Sequence, residues 1–305
     1  MCSNRNLQRI SLEFFFEVLK LPHMQVIRSP QEMQALALSW RARGDMIVLV
    51  PTMGYFHRGH VSLMEYGRGI GRRLVVSLFV NPTQFAPNED LDCYPRNFDQ
   101  DCKLAQEAGV DVIFAPEADQ LYPPDFQTYV TVEQVTRGLC GASRPIHFRG
   151  VATIVLKLFN LVQPQAAIFG EKDYQQLITL KRMVLDLNLP VEIIGRPLVR
   201  ESDGLAMSSR NVYLSPGERR SALNLSRALF KACELTAKGE TSRDRLFTAL
   251  KPILTCDPPI SLDYLNLVDP QTLKEIDTIR GQARLAIAAW VGRTRLIDNI
   301  LLEVP

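Results

Sequence analysis

The sequence lacks any CxxC pair. Its six cysteines, Cys2, Cys93, Cys102, Cys140, Cys233 and Cys256, are scattered over 305 residues without metal-ligand spacing. In a chain of this length that argues against a disulfide framework or a zinc module and fits reduced thiols in a cytoplasmic protein. A surplus of one charge is missing as well. Lys and Arg total 35 against 33 for Asp and Glu, a formal net charge of +2, so no global field exists for gripping a nucleic-acid backbone, while local anion sites stay open. Nor is there an apolar run fit for a bilayer: residues 10–21 are interrupted by Glu13, Glu17 and Lys20 and lack a small-residue cleavage site. Internal repeats are absent.

What is present is a globular composition, 46% hydrophobic and 22% charged, in a chain longer than the usual single domain. Two domains are expected, with one compact domain as the alternative. Residues 1–23 are set apart as an N-terminal extension, either a short amphipathic helix or a loosely held segment, or a stretch upstream of a start at Met24. Over 24–198, short β-branched runs at 46–50, 74–80, 110–115, 166–169 and 191–195 alternate with helical stretches from Gly59 and over 98–108, 151–162 and 174–187. That alternation yields a parallel sheet covered by helices. From about 199 the texture changes. Ser215-Pro216 reads as the cap and first turn of a helix toward Lys238, and 239–243 is a polar break. Strands are expected at 262–268, 284–291 and 295–303, the last two joined across Gly292-Arg293-Thr294. The expected fold is α/β, a Rossmann-like open parallel sheet over 24–198 with a smaller α+β domain over 199–305.

The segment Pro51-Thr52-Met53-Gly54-Tyr55-Phe56-His57-Arg58-Gly59-His60 directly follows the first of these strands and opens a helix. In an open α/β sheet that is where ligands bind. Two imidazoles three residues apart at a helix start face one side, and the helix N-terminus adds free N–H groups and the positive end of its dipole, a place for phosphate oxygens. Gly59 allows close backbone approach, where a side chain would obstruct a nucleotide. A lone histidine is more often a satisfied surface or core residue, but half of the chain's four histidines fall in this one HxGH turn. A second segment, Gly170-Glu171-Lys172-Asp173-Tyr174-Gln175-Gln176, again follows a strand and opens a helix. Lys172 offers charge to phosphate and Asp173 an acceptor to ribose hydroxyls, although an exposed cap with Asp173 as N-cap explains the same residues. A third, Ala206-Met207-Ser208-Ser209-Arg210-Asn211, supplies hydroxyls and a guanidinium suited to bidentate phosphate contact.

Taken in order, PTMGYFHRGH, FVNPTQF, ED with YPR, RPIHFRGV, FGEKDYQQL and DGLAMSSRN, with TRLIDNI near the C-terminus, resemble the successive motifs of the pantothenate synthetases, also called pantoate–β-alanine ligases. The resemblance implies an HxGH-type Rossmann-like synthetase. It would use ATP and Mg²⁺ to turn pantoate into pantoyl-adenylate and pyrophosphate, then let the amine of β-alanine displace AMP to give pantothenate. It implies that His57, His60, Lys172, Ser208, Ser209 and Arg210 serve the phosphates and catalysis, that Met53, Gly170, Asp173 and Met207 complete the ATP site, and that Gln84 and Gln176 hold pantoate. Asn81 is expected beside pantoate, Asp101 at a magnesium ion, and the chain in a homodimer. Bracing is the preferred role of Tyr94 and Arg96, and Arg144 and His147 also lie in motif segments. The polar stretch 83–92 is a candidate gate, or simply a solvated loop. The sequence departs from the family pattern at Phe56, where Leu is more usual, at Arg58, often acidic, at Gln100, where a second Asp can precede Asp101, and at Cys140, where some relatives carry Glu.

Three other readings compete. A nucleotidyltransferase would share the HxGH site but stop at a dinucleotide-like product. An aminoacyl-tRNA synthetase needs an RNA-reading module or basic face that is not evident. A silent binding relative would keep the fold, yet His57, His60, Lys172 and Arg210 are all intact.

Overall fold

The computed structural model describes residues 24–304 other than 88 and 256, so the extension expected over 1–23 lies outside the described residues. β1 (Gln25–Ile27) leads into α1 (Pro30–Ala42), which begins with Ser29 accepting from the Glu32 N–H and with Pro30 in the first turn. β2 (Ile47–Thr52), α2 (Arg58–Ile70), β3 (Arg73–Leu78), α3 (Phe98–Glu107) and β4 (Val112–Phe114) follow. After the short α4 (Ala118–Leu121) and α5 (Cys140–Ser143) come α6 (His147–Val162), β5 (Ala166–Gly170), α7 (Tyr174–Asp186) and β6 (Glu192–Arg196). Among the described residues these strands form one sheet in the order β1-β4-β3-β2-β5-β6, every pair parallel.

β2 shows why the sheet is buried on both faces. Ile47 and Leu49 belong to one apolar cluster with Met33, Trp40 and Phe114, whereas Val48 and Val50 belong to another with Met64, Leu74 and Ile168. A strand with helices above and below must be apolar at every position, which is why this one reads as a continuous run rather than an alternation. From β2 the chain adds β3 and β4 on one side and then crosses to lay β5 and β6 on the other. The carboxyl ends of β2 and β5 therefore adjoin at the point where strand order reverses, the standard place for a ligand crevice.

The remainder packs around a second core. α8 (Pro216–Ala237) starts with a reciprocal cap between Ser215 and Glu218. α9 (Arg243–Leu254) follows, and then the antiparallel sheet β7 (Ile260–Val268), β8 (Gln282–Val291) and β9 (Thr294–Glu303), with β8 central. The sequence pattern signals the three strands and α8 but not α9, which begins at the edge of the expected polar break. Its charged first turn and internal Pro252 hide a short apolar row, Leu246, Leu250 and Leu254, buried against Leu229 and Leu285. Each fully buried leucine in that row contributes about 1.5–3 kcal/mol, enough to outweigh local sequence that disfavours a helix. No helix among the described residues is long and apolar enough to cross a membrane.

Candidate active site

Immediately after β2 the chain makes a strained turn, with positive φ at Gly54 (85°) and at Tyr55 (54°). Asp101, in the first turn of α3 and only 1% exposed, holds it: its two carboxylate oxygens accept the Tyr55 and Phe56 N–H groups at 2.8 and 2.6 Å. The His57 ring then caps α2. Its Nδ1 accepts the Gly59 N–H at 3.1 Å, while Nδ1 of His60 accepts the His57 N–H at 3.3 Å. A Cβ at Gly59 would lie 2.9 Å from the His57 ring itself, so glycine there makes room for the cap.

These caps fix the chemistry of both rings. With each Nδ1 engaged as an acceptor, a neutral imidazole carries its proton on Nε2. Burial, with the nearby Lys172 charge, pushes His57 down to about 4, and burial with the charges of His57 and Lys172 pushes His60 well below the ordinary histidine value. Both are neutral hydrogen-bond donors near pH 7. The rings lie 4.1 Å apart, centroid to centroid, close enough to serve adjacent oxygens.

A cavity of about 1280 Å³ opens over this turn. Its lining brings together almost every residue singled out in the sequence: Met53, His57 and His60 from the first turn, Asn81 and Gln84 after β3, Gly170, Lys172, Asp173 and Gln176 after β5, and Met207, Ser208, Ser209 and Arg210 from the loop ahead of α8. Ser209 Oγ donates to the Tyr55 carbonyl at 3.3 Å, tying the third segment to the first. Asn81 lines the wall, yet its side chain is engaged within the protein. Its Nδ2 donates to Gln84 Oε1 and the Gly150 carbonyl, and its Oδ1 accepts from the Thr83 N–H and Oγ1. Asn81 thereby aims the Gln84 amide, whose Nε2 also reaches Met53 Sδ at 3.1 Å.

Asp101 is not where it was expected. It does not line the cavity; its carboxylate sits beneath the 54–56 turn, with both oxygens on backbone amides, so it braces the histidine turn rather than facing a metal. Among the described residues no group of three or more His, Cys, Asp or Glu side chains could hold a metal ion.

The 83–92 stretch carries an arrangement that sequence did not signal. Glu89 and Asp90, adjacent acids, each grip an arginine of the cavity wall through two oxygens. Asp90 takes Arg210 Nε and Nη2 at 2.7 and 2.8 Å, and Glu89 takes Arg144 Nε and Nη2 at 2.7 and 2.5 Å. Burial pushes the Asp90 carboxyl up, but the Arg210 hydrogen bonds and charge outweigh it, and the group titrates below the ordinary carboxylate value. Arg210 also lies over the Tyr94 ring, 5.4 Å from its centroid. Arg144 and His147 both meet the Gln84 carbonyl, so these motif residues brace the loop that presents Gln84.

Other wall residues come from the C-terminal sheet. Arg295 pairs with Asp263 at 2.6 Å and reaches Cys140 Sγ at 3.4 Å, while Tyr264 Oη lies 3.2 Å from the same sulfur. Cys140, the departure from the family pattern, is thus a buried contact between α5 and the C-terminal sheet. Arg295 falls within the TRLIDNI run, whereas Tyr264 and Asp263 sit on β7, where the sequence shows no local motif.

Neutral ring donors and paired cations set around the reversal point of a parallel sheet suit a polyanion, and by architecture the molecule is an α/β enzyme of the nucleotide-binding class. The sequence pattern of the family described as Pantoate-beta-alanine ligase matches residues 25–301, and the chain belongs to that family. It is 55% identical over 276 residues to the pantothenate synthetase of Syntrophus aciditrophicus (strain SB), covering 90% of this chain and 96% of that one. Among solved structures it is similar to the pantothenate synthetase of Thermus thermophilus, with a TM-score of 0.86, 46% identity, and coverage of 91% and 99%. The Francisella tularensis pantoate-beta-alanine ligase, complexed with beta-gamma ATP and beta-alanine, gives a TM-score of 0.75 at 30% identity, covering 91% of this chain and 97% of that one.

Proposed function

We propose that this protein condenses pantoate with β-alanine at the expense of ATP, forming pantothenate through pantoyl-adenylate and releasing pyrophosphate and AMP. The observation that carries the reading is the single cavity lined at once by His57, His60, Lys172, Ser208, Ser209 and Arg210 and by Gln84 and Gln176. The first group answers phosphates and the second a small hydroxy acid. Membership of the family over residues 25–301 and the nucleotide and β-alanine of the Francisella relative support it.

In the first step a pantoate carboxylate oxygen attacks the α-phosphorus and the bond to pyrophosphate breaks. Both partners are anionic, so the barrier falls only where positive potential and hydrogen-bond donors already stand. The Nε2–H groups of His57 and His60 supply donors without adding charge, the Lys172 ammonium and the Arg210 fork supply charge, and the Ser208 and Ser209 hydroxyls supply further donors. Met53, Gly170, Asp173 and Met207 hold the adenosine portion. In the second step the neutral amine of β-alanine attacks the acyl carbon and AMP leaves. No enzyme side chain becomes covalently attached, and the acceleration comes from orientation and electrostatics.

Magnesium, on this reading, arrives with the nucleotide phosphates. We also place the division between the two parts of the chain at residue 199, after β6 has ended at Arg196 and ahead of Leu205, the first residue of the second core. A cytoplasmic location and a homodimer fit the reduced-thiol composition and the family.

Incubation with ATP, Mg²⁺, pantoate and β-alanine, omitting each in turn, tests the proposal by product mass. Pantothenate and AMP only in the complete mixture, with pyrophosphate release requiring ATP and pantoate, are expected. A product in which AMP stays joined to its acceptor after β-alanine is added, with no pantothenate formed, would contradict it.

A further inference from the structure

The Lys172 turn is gripped from outside its own sheet. Asn299, on β9 and 6% exposed, donates both hydrogens of its side-chain amide to successive main-chain carbonyls, those of Glu171 and Lys172, at 2.9 Å each. These residues open the one-turn 3₁₀ segment Glu171–Asp173 that joins β5 to α7. The amide is held in this orientation from behind, because its Oδ1 accepts from Arg284 Nη1 at 3.1 Å. Arg284, on β8 and also buried, places Nη2 3.5 Å from the Glu171 carboxylate and stacks on Tyr174, 3.8 Å from the ring centroid. The turn is thus fixed by two carbonyls, one carboxylate and the ring that follows it.

The neighbouring residue does the same for the other cationic segment. The Asp298 carboxylate takes both Arg200 Nη groups, at 2.6 and 3.0 Å, and Arg200 pairs with Ala206, one residue before Met207–Arg210. Two consecutive residues of one strand therefore reach both segments that bring positive charge to the cavity, Asn299 directly and Asp298 through Arg200. A 3₁₀ turn has poor internal hydrogen bonding, and a lysine has many rotamers. Where the Lys172 main chain stands consequently decides which positions its ammonium can reach, and a 1 Å displacement in a preorganised site costs on the order of 10²-fold in rate.

We propose that Asn299, oriented by Arg284, is a positioning residue for Lys172 in adenylate formation, so that the C-terminal sheet completes the phosphate site of the parallel sheet. This rests on the reading of Lys172 as a phosphate contact.

The test is a double-mutant cycle on single-turnover pyrophosphate release, using wild type, Asn299→Ala, Lys172→Ala and the double variant at saturating ATP, with pantoate titrated. Asn299→Ala is expected to slow release by about 10- to 100-fold and to leave the pantoate concentration at half-maximal rate unchanged, since pantoate is held by Gln84 and Gln176. On the Lys172→Ala background the same replacement is expected to add nothing, because its effect runs through the missing ammonium. Multiplicative losses in the double variant would show that Asn299 only supports the fold and would overturn the proposal. A normal rate in Lys172→Ala would overturn both the proposal and the reading of Lys172 beneath it. Urea unfolding is followed for each variant, and if the alanine variant folds poorly the cycle is run with Asn299→Ser, which keeps a single donor. The same absence of further loss is then expected, and multiplicative losses again overturn the proposal.

Discussion

The turn that carries His57 and His60 and the turn that carries Lys172 stand side by side at the ends of β2 and β5, yet they are held in opposite ways. The histidine turn is secured mainly from within its own fold unit: each ring caps the helix that bears it, and Asp101 of the nearby α3 fastens the turn from below. The lysine turn and the Arg210 loop depend on partners distant in sequence. Asn299 and Arg284 grip the first, and Asp90 occupies the guanidinium of the second. The neutral donors are therefore fixed before any ligand arrives, whereas the cations are set by the packing of one sheet on the other and, at Arg210, by the Asp90 carboxylate that holds its guanidinium.

Replacing His60 should do the most damage, since it removes a donor and the cap on His57 together. His60→Ala is expected to reduce adenylate formation by about 10²–10³-fold in a protein that still folds, measured as pyrophosphate release. Unchanged release from folded protein would break the contrast at its strongest point. Asp101 separates bracing from metal binding. Asp101→Asn leaves one acceptor for two buried amides and should lower stability by about 1–3 kcal/mol in urea unfolding, with the magnesium concentration for half-maximal rate unchanged. A shift in that concentration without loss of stability would return Asp101 to the metal.

The depressed histidines predict a pH dependence of stability. Folded His57 and His147 titrate at about 4 against an ordinary 6.5, so the unfolded chain binds more protons between those values. Stability should fall as pH drops from 6.5 toward 4, with a shallower slope in His147→Gln when urea midpoints are compared across that range. The smallest effect concerns the acid on Arg210. Asp90→Asn should free the guanidinium and tighten ATP binding by about 2- to 5-fold, the scale of a partly exposed ion pair, read by calorimetry. Weaker binding would mean that Asp90 helps to build the site rather than competing for it.

The same contrast explains what the sequence could and could not reveal. Strand runs such as 46–50, the Ser215 cap and the HxGH turn are local devices, and their chemistry lies within a few residues, so they are legible. Helix α9 is not, because its stability comes from Leu246 and Leu250 meeting a core built elsewhere. Gln84 and Gln176 are visible as motif residues, but the role of Asn81 in aiming Gln84 appears only when its hydrogen bonds to Gly150 and Thr83 are seen. Asp101 misleads for a related reason. A carboxylate beside a motif suggests a cation, and only the Tyr55 and Phe56 amides reveal that backbone N–H groups already satisfy it. Asn299 falls in the TRLIDNI run, but what it grips, and the part Arg284 plays beside it, show only when the two sheets are brought together.

The central claim is that the converging groups activate the carboxylate of pantoate by joining it to the α-phosphate of ATP. Pantoate labelled with ¹⁸O in its carboxylate, turned over with ATP and β-alanine, tests this directly by mass spectrometry of the nucleotide product. The account predicts one ¹⁸O atom in each AMP. AMP free of label, or label recovered in inorganic phosphate alongside ADP, would contradict it.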